Sequence, residues 1–481
     1  MSVQKELRKG LLITFISKYS NILFELLLTM ILSRLLTPAE FGVVAVILVF
    51  TMFFNLLGEI GIGTAIVQNN DLDNRHVQSI FNYTVIIAFI IAFSFALVSY
   101  PIADFYANKD YINIGRILSI VVFFYILNVV PQGLIRKQKL FLKLEGALLV
   151  VNIITGLIAV YLAYQGHGYY ALVYREFFKA ILIFIINFVN SKFKPTTNFG
   201  LNGIKLIFSY SAFQFMFNII NYFSRNLTSL LIGKYMGDTN LGFYDRAYRL
   251  MLYPAQTLTY VITPVLHPVL AAYEKQPEII HDNYKNILEL LGFIGLPLSV
   301  FLYFSAEEVI LIMYGDQWIG SIPVFKILAL TIWSQMTLAS TGAIFQALGK
   351  TKLLFISGFI SAFLTVVAVV FGLLQDNLLT IAYGILVAFV INFFQGFYIL
   401  FGIGFKKPFF FFLRYFKLGA LSAILVLFFM LGLHLLTIDL NIVSMVIIKT
   451  VLLLLAMCVA MYNLKKDYWQ FVLKKISNLK H

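Results

Sequence analysis

Fourteen apolar runs follow one another along this chain of 481 residues, each near the ~20 residues a helix needs to cross a hydrocarbon core. They lie near 11–36, 39–67, 77–100, 112–131, 142–164, 168–190, 204–233, 240–270, 284–304, 322–346, 353–374, 378–402, 409–435 and 441–462. Lipid offers the backbone no hydrogen-bonding partner, so a segment at that depth must be a helix or part of a closed barrel, and unbroken runs of this length are helices. An all-α polytopic membrane protein with fourteen transmembrane helices is expected. A composition of 60% hydrophobic and 12% charged residues agrees. The first run follows the basic start MSVQKELRKG, but it is long, contains Lys18 and Glu25 and lacks a small-residue cleavage site. It is read as a retained span rather than a signal peptide.

The formal net charge is +14, yet no nucleic-acid partner is expected, because the Lys and Arg sit in short loops rather than on one basic face. Placing the N-terminus and every second loop on one side collects 22 Lys and Arg there, against Lys109 and Lys234 on the other. Positively charged loops stay cytoplasmic, so both termini are expected in the cytoplasm.

An internal repeat is visible at an offset of 200 residues. Thr14, Lys18, Asn21 and Glu25 match Gln214, Asn218, Asn221 and Arg225, and the following turn SRLLTPAEFG (33–42) matches GKYMGDTNLG (233–242). Six spans separate the copies, so they share a membrane orientation, which predicts parallel halves about an axis along the membrane normal. The expected architecture is an N-lobe (1–200, spans 1 to 6), a C-lobe (201–402, spans 7 to 12), and spans 13 and 14 with a basic cytoplasmic tail (403–481).

Span 7 has one wet face. Ser211, Gln214, Asn218, Asn221, Arg225 and Thr228 are spaced 3, 4, 3, 4, 3, which aligns them on one side of a helix otherwise made of Phe, Ile, Leu and Met. A charge at bilayer depth costs roughly 2.5 to 3.5 kcal/mol and usually faces a bundle interior or a wet cavity. The stripe is expected to line a cavity.

Other charges lie at similar depth. Lys18 and Glu59 are each about eight residues from the inner ends of spans 1 and 2, and at about 1.5 Å per residue they are level, which predicts an ion pair. Asp245 and Arg249 enter span 8 level with Arg225, on one face with Gln256, Thr259 and Thr263. Arg225, Arg246 and Arg249 against Asp245 leave surplus positive charge, and Arg175 and Lys179 in span 6, with Glu176 between them, add to it. Guanidinium forks match phosphate oxygens, so such an excess suits a phosphate-bearing cargo. The alternative, pairing with Glu25 and helix-end carbonyls or snorkelling outward, suits Arg246 and Arg175 better; the phosphate reading suits Arg225 and Arg249.

Lys449 and Glu289 lie deep, and the sequence does not say what they pair with; Asn152, Asn187, Gln335 and Asn392 are candidate inter-helix hydrogen bonds. Pro254, Pro264 and Pro268 interrupt span 8 and Pro297 span 9; each removes a helix hydrogen bond and marks a candidate hinge.

Several chemistries find no support. Six His are scattered without ligand spacing, so no metal site is expected, and the single Cys458 forms no disulfide framework. GKT at 349–351 follows Ile344 where a phosphate-binding loop needs Gly. No nucleophile, histidine and acid set appears, so an enzyme is not expected.

The start KELRKG, the segment SRLLTPAEFGVVAV, the run GEIGIGTAIVQ and the span-8 entry IGKYMGDTNLGFYDRAYRLMLYPAQ resemble the Wzx-type oligosaccharide flippase branch of the multidrug, oligosaccharidyl-lipid and polysaccharide exporter superfamily. The resemblance runs over essentially the whole chain. It implies a bacterial inner-membrane flippase that moves undecaprenyl-pyrophosphate-linked oligosaccharide repeat units outward by alternating access, for exopolysaccharide, capsule or O-antigen synthesis, beside a polysaccharide polymerase and glycosyltransferases. It also implies cavity arginines for the pyrophosphate, a role that Arg225 and Arg249 match in kind. No cofactor is expected. Outward movement of negative charge is downhill by roughly 2.3 kcal/mol per charge per 100 mV, and exchange of H⁺ or Na⁺ through Glu25, Glu59 or Asp245 is the coupling left open. A cation-coupled multidrug exporter of the same superfamily is the nearest rival, and the surplus Arg counts against it. A membrane glycan polymerase commonly needs a large outer loop, and the longest here, near 305–321, is small.

Overall fold

The computed structural model describes residues 3–59, 62–68, 72–197, 199–200, 202–436 and 441–464. Within these, the side chains of 3–16, 64, 68, 202–218, 220, 221, 224, 225, 258–265, 267, 268, 409 and 464 lie outside the described residues. The chain divides into two compact units, Met1–Gly242 and Phe243–His481.

The first unit holds α1 (Val3–Leu35), α2 (Pro38–Glu59), α3 (Ile62–Gln68), α4 (Asn74–Tyr106), α5 (Asp110–Lys137), α6 (Phe141–Tyr164) and α7 (Tyr170–Ser191), and the first limb of α8 (Asn202–Ala271). α5 packs on α2, α4 and α7, and α6 packs on α1 and α7. Local chemistry sets the starts. Asp73 caps α4 by accepting from the His76 amide at 2.8 Å, and the Asp73 amide donates back to His76 Nδ1, so two otherwise orphaned donors are satisfied. α2 is the most enclosed of the long apolar helices of this unit. Apolar side chains such as Phe89 and Leu97 on α4 point outward, as lipid-facing residues do.

The second unit continues with the rest of α8, then α9 (Pro277–Phe304), α10 (Ala306–Met313), α11 (Ser321–Ala329), α12 (Ile332–Ala347), α13 (Thr351–Leu373), α14 (Leu378–Phe397), α15 (Lys417–Leu435) and α16 (Ile442–Leu464). α9 packs on α12 and α15, and α13 on α14. Its core is aromatic: Phe397 stacks on Phe412 at 4.9 Å, and Trp333 meets Phe393 edge-on at 4.5 Å.

Among the described residues nine helices are long and apolar enough to cross a membrane, or ten if α11 and α12, bent by 55°, form one span. This is a multi-pass membrane protein. The expected spans over 204–233 and 240–270 both fall in α8, which leaves helical geometry only at Gly237, where φ is 82°. Only glycine adopts that value without strain. Pro254, Pro264 and Pro268 lie in continuous helix, and Pro297 lies inside α9. The expected span over 409–435 starts instead as a 3₁₀ segment, Phe409–Phe416, after a π-helical turn, Tyr398–Gly404. Phe412 and Tyr415 are buried while Phe410 and Leu413 are exposed, and that three-residue period is the one a 3₁₀ helix presents.

Candidate functional site

Where α8 leaves its turn, Asp245 gathers the arginines that follow it. Arg249, one helical turn on, donates from Nε to both carboxylate oxygens at 2.9 and 2.8 Å. Arg246 Nη2 donates to Asp245 Oδ2 at 3.0 Å. Asp245 is buried, the Arg246 side chain is 13% exposed and that of Arg249 47%. The aspartate thus engages two cations rather than the single one expected, yet a net positive charge remains, and Arg249 presents it. Surrounding loops hold the limb in place: Tyr314 hydroxyl donates to the Arg246 carbonyl at 3.4 Å, and Ser321 hydroxyl donates to the Phe243 carbonyl at 3.0 Å.

The first unit holds an ion pair between two of its own helices. Arg175 Nη2 on α7 pairs with Glu25 on α1, and next to them Tyr125 hydroxyl on α5 donates to Glu176 at 3.1 Å. Lys179, one turn beyond Arg175, is half-buried on α7. Of the two readings the sequence offered for Arg175, pairing with Glu25 is the one the structure bears out, because that carboxylate from a neighbouring helix already occupies its guanidinium. The expected ion pair of Lys18 with Glu59 is absent among the described residues. Glu59 is exposed at the end of α2, and the carboxylate whose charge acts on Lys18 is that of Glu145 on α6. Equal depth put Lys18 and Glu59 level; it said nothing of the direction in which each side chain leaves its helix.

Three of the expected amide contacts form: Asn152 donates to Asn21 at 2.9 Å, Asn187 to Asn128 at 3.0 Å, and Gln335 on α12 to Met251 Sδ on α8 at 2.6 Å. The side chains of Gln214, Asn218, Asn221 and Arg225 lie outside the described residues. Two buried partnerships were missed. Lys449 on α16 pairs with Glu308 on α10 and donates to the Phe304 carbonyl at 2.7 Å, a partner that depth along the helix alone could not name. Tyr111 hydroxyl donates to Asp238 Oδ1 at 3.2 Å, a contact between residues 127 apart in sequence that no local signal announces. Burial lifts the Asp238 carboxyl above its usual range, against the hydrogen bonds from Tyr111 and Asn108 that lower it. Among the described residues no group of three or more His, Cys, Asp or Glu is placed to hold a metal ion.

Comparison with known proteins bears on this arrangement. The chain is 25% identical over 404 residues to the teichuronic acid biosynthesis protein TuaB of Bacillus subtilis strain 168, covering 83% of each chain. It is 22% identical to the lipopolysaccharide biosynthesis protein WzxC of Escherichia coli K12, over 77% of this chain and 76% of that one. With the succinoglycan biosynthesis transport protein ExoT of Rhizobium meliloti it shares 25% identity, over 72% of this chain and 70% of the relative. Among solved structures, the lipid II flippase MurJ in an inward closed conformation superposes with a TM-score of 0.74 at 14% identity, over 94% of this chain and 99% of that one. An inward-facing multidrug MATE transporter gives 0.62 at 16% identity, over 80% and 96%. The chain therefore shares the fold of these two transporters. Residues 31–323, more than half of the chain, match the family described as polysaccharide biosynthesis protein, and the chain belongs to that family.

Proposed function

We propose that this protein is a flippase for undecaprenyl-pyrophosphate-linked oligosaccharide repeat units, carrying them from the cytoplasmic to the outer face of a bacterial inner membrane for surface polysaccharide synthesis. Fourteen spans, arranged as two six-helix lobes with two further helices, work by alternating access, with both termini cytoplasmic. Glycosyltransferases supply the cargo and a polymerase consumes it.

The observation that carries this reading is the Asp245 cluster. One carboxylate faces two guanidiniums, and the more exposed of them, Arg249, has its remaining donors free of Asp245 because only Nε engages that carboxylate. A diphosphate is the ligand that complements such a fork. Arg225, Asn221, Asn218 and Gln214 are further residues proposed for the cargo on their sequence pattern alone, as are Arg246 and Lys179 for their positive charge. Pro254, Pro264, Pro268 and Pro297 supply flexible points, and Glu25 or Asp245 offers a carboxylate for H⁺ or Na⁺ exchange.

A cation-coupled multidrug exporter of the same superfamily is the second reading, favoured by the likeness of fold to the MATE transporter. A net positive cluster repels cationic drugs, which counts against it. The deciding experiment is Arg225→Ala and Arg249→Ala, made singly in the native host. Both are expected to abolish surface polysaccharide with protein still in the membrane, and full polymer export from both variants overturns the phosphate assignment.

A further inference from the structure

Two turns that stand 200 residues apart in the sequence press together, backbone against backbone, within the first unit. The first is TPAEFG, 37–42. Thr37 donates from its amide and its hydroxyl to Glu40 Oε2 at 2.7 and 2.9 Å, and the Glu40 amide donates back to Thr37 Oγ1 at 3.3 Å. That capping box, with Pro38 at the first helical position, fixes the direction in which α2 starts. The second is GDTNLG, 237–242, where α8 is kinked at Gly237.

A Cβ added to Gly42 falls on the carbonyl oxygen of Asp238, 3.0 Å from its Cα; a Cβ added to Gly242 falls on the carbonyl oxygen of Pro38, again 3.0 Å from its Cα. Gly42 and Gly242 differ by 200 in number, and so do Pro38 and Asp238. The contact therefore maps onto itself when the two turns are exchanged, the isologous arrangement of a symmetric interface. Glycine is required on both sides, because any side chain drives the two backbones apart.

The seam continues inward from this crossing. A Cβ on Gly233 meets Val46 Cγ2 at 2.8 Å, Tyr222 hydroxyl donates to the Val49 carbonyl, and Phe53 packs on Phe223 at 4.9 Å. Flanking it, Tyr106 hydroxyl donates to the Leu230 carbonyl at 3.1 Å, and Lys234 donates to the Phe105 carbonyl. These polar contacts are single hydrogen bonds with no ion pair among them, and the two made by tyrosine hydroxyls are neutral and readily exchanged for water. Van der Waals contact makes the rest, and such contact is lost within about an ångström of separation.

We propose that the crossing of Gly42 with Gly242 is a reversible seal on the face opposite the lysine-rich loops, closed in this structure and parted when cargo leaves on that side. The seal rests on the flippase reading, in which the chain must open to both faces in turn. Bulk at either glycine shifts the balance toward the open form, since it acts on the closed form alone.

The test uses one thiol. Cys458 is the only cysteine, so Cys458→Ser with Val46→Cys leaves a single reporter one helical turn below the crossing, at a fully buried position. In intact cells, a membrane-impermeant maleimide is expected to label it slowly when both glycines are native. Gly242→Leu is expected to raise the rate at least about tenfold, the gain available when an open state populated at 10% or less becomes dominant. Gly358→Leu, where an added Cβ meets nothing within 4 Å, is expected to leave the rate unchanged. Gly242→Ala carries the same test should the leucine variant not accumulate, because its one methyl already meets the Pro38 carbonyl. Equal labelling in all backgrounds at equal membrane abundance overturns the seal. Labelling is read without polysaccharide, so a chain that labels as expected while polymer export persists in both Arg→Ala variants keeps the seal and loses the cargo assignment.

Discussion

Arg249 Nε donates to both carboxylate oxygens of Asp245, one helical turn before it, at 2.9 and 2.8 Å. Arg246 Nη2 also donates to Oδ2 of the same group, at 3.0 Å. A buried carboxylate that holds two cations sets their geometry without cancelling their charge. That combination, a fixed position and a residual charge, is what a site for a diphosphate requires.

Removing the anchor is expected to cost more than removing a cation. Asp245→Asn takes from two guanidiniums the carboxylate they share, and the loss of one partner of a buried pair typically costs about 3 kcal/mol or more. Thermal unfolding of the detergent-solubilised protein is expected to fall for Asp245→Asn and to recover in part for Asp245→Asn with Arg246→Met. An unchanged midpoint for the single variant contradicts the pairing.

Glu25 and Arg175 form a closed pair between α1 and α7. Glu25→Gln alone is expected to destabilise the protein more than Glu25→Gln with Arg175→Gln, with a coupling of about 1 kcal/mol or more in a double-mutant cycle. Additive effects within about 0.3 kcal/mol argue that the two side chains act independently.

The last helix is tied to the loop helix α10 by Lys449 and Glu308. Lys449→Met strands a buried carboxylate, whereas Lys449→Met with Glu308→Leu replaces the pair by apolar contact, which is often neutral in stability. Limited proteolysis is expected to cut the single variant faster between α15 and α16 and to leave the double variant near the native rate. Equal cleavage of all three chains removes the tie from consideration.

Asp238 supplies a pH dependence. Burial raises its carboxyl above the ordinary value of 3.8, so the folded state binds the proton more tightly than the unfolded one. Its contribution is fully present below that ordinary value and is lost as pH rises through the raised folded one. Asp238→Asn keeps a neutral acceptor for Tyr111, and is expected to equal or exceed the native stability at pH 8 while flattening the gain that acidification gives the native chain. Melting curves at pH 5 and pH 8 decide it, and a larger pH response in the variant counts against the assignment.

The apolar runs by themselves determined that this chain crosses a membrane as helices, because hydrocarbon leaves a backbone no other way to satisfy its polar groups. Local signals determined helix ends, as at Asp73 and in the box of Thr37 with Glu40, since their partners lie three residues away. The surplus of arginine around Asp245 was legible for the same reason: all three residues share one turn of one helix. What the sequence left open was direction around the helix axis. Lys18 and Glu59 are level and do not pair, and Lys449 finds Glu308 from a separate helix; the pairing of Arg175 with Glu25 was legible as one of two alternatives.

The repeat at an offset of 200 was visible in the residues, but only the tertiary structure brought its two turns into contact and gave Gly42 and Gly242 a reason to be glycine. Periodicity along a chain fixes which face a residue occupies; which neighbour that face meets is decided by packing among helices far apart in sequence, where the energies are sums of many weak contacts that no single residue encodes.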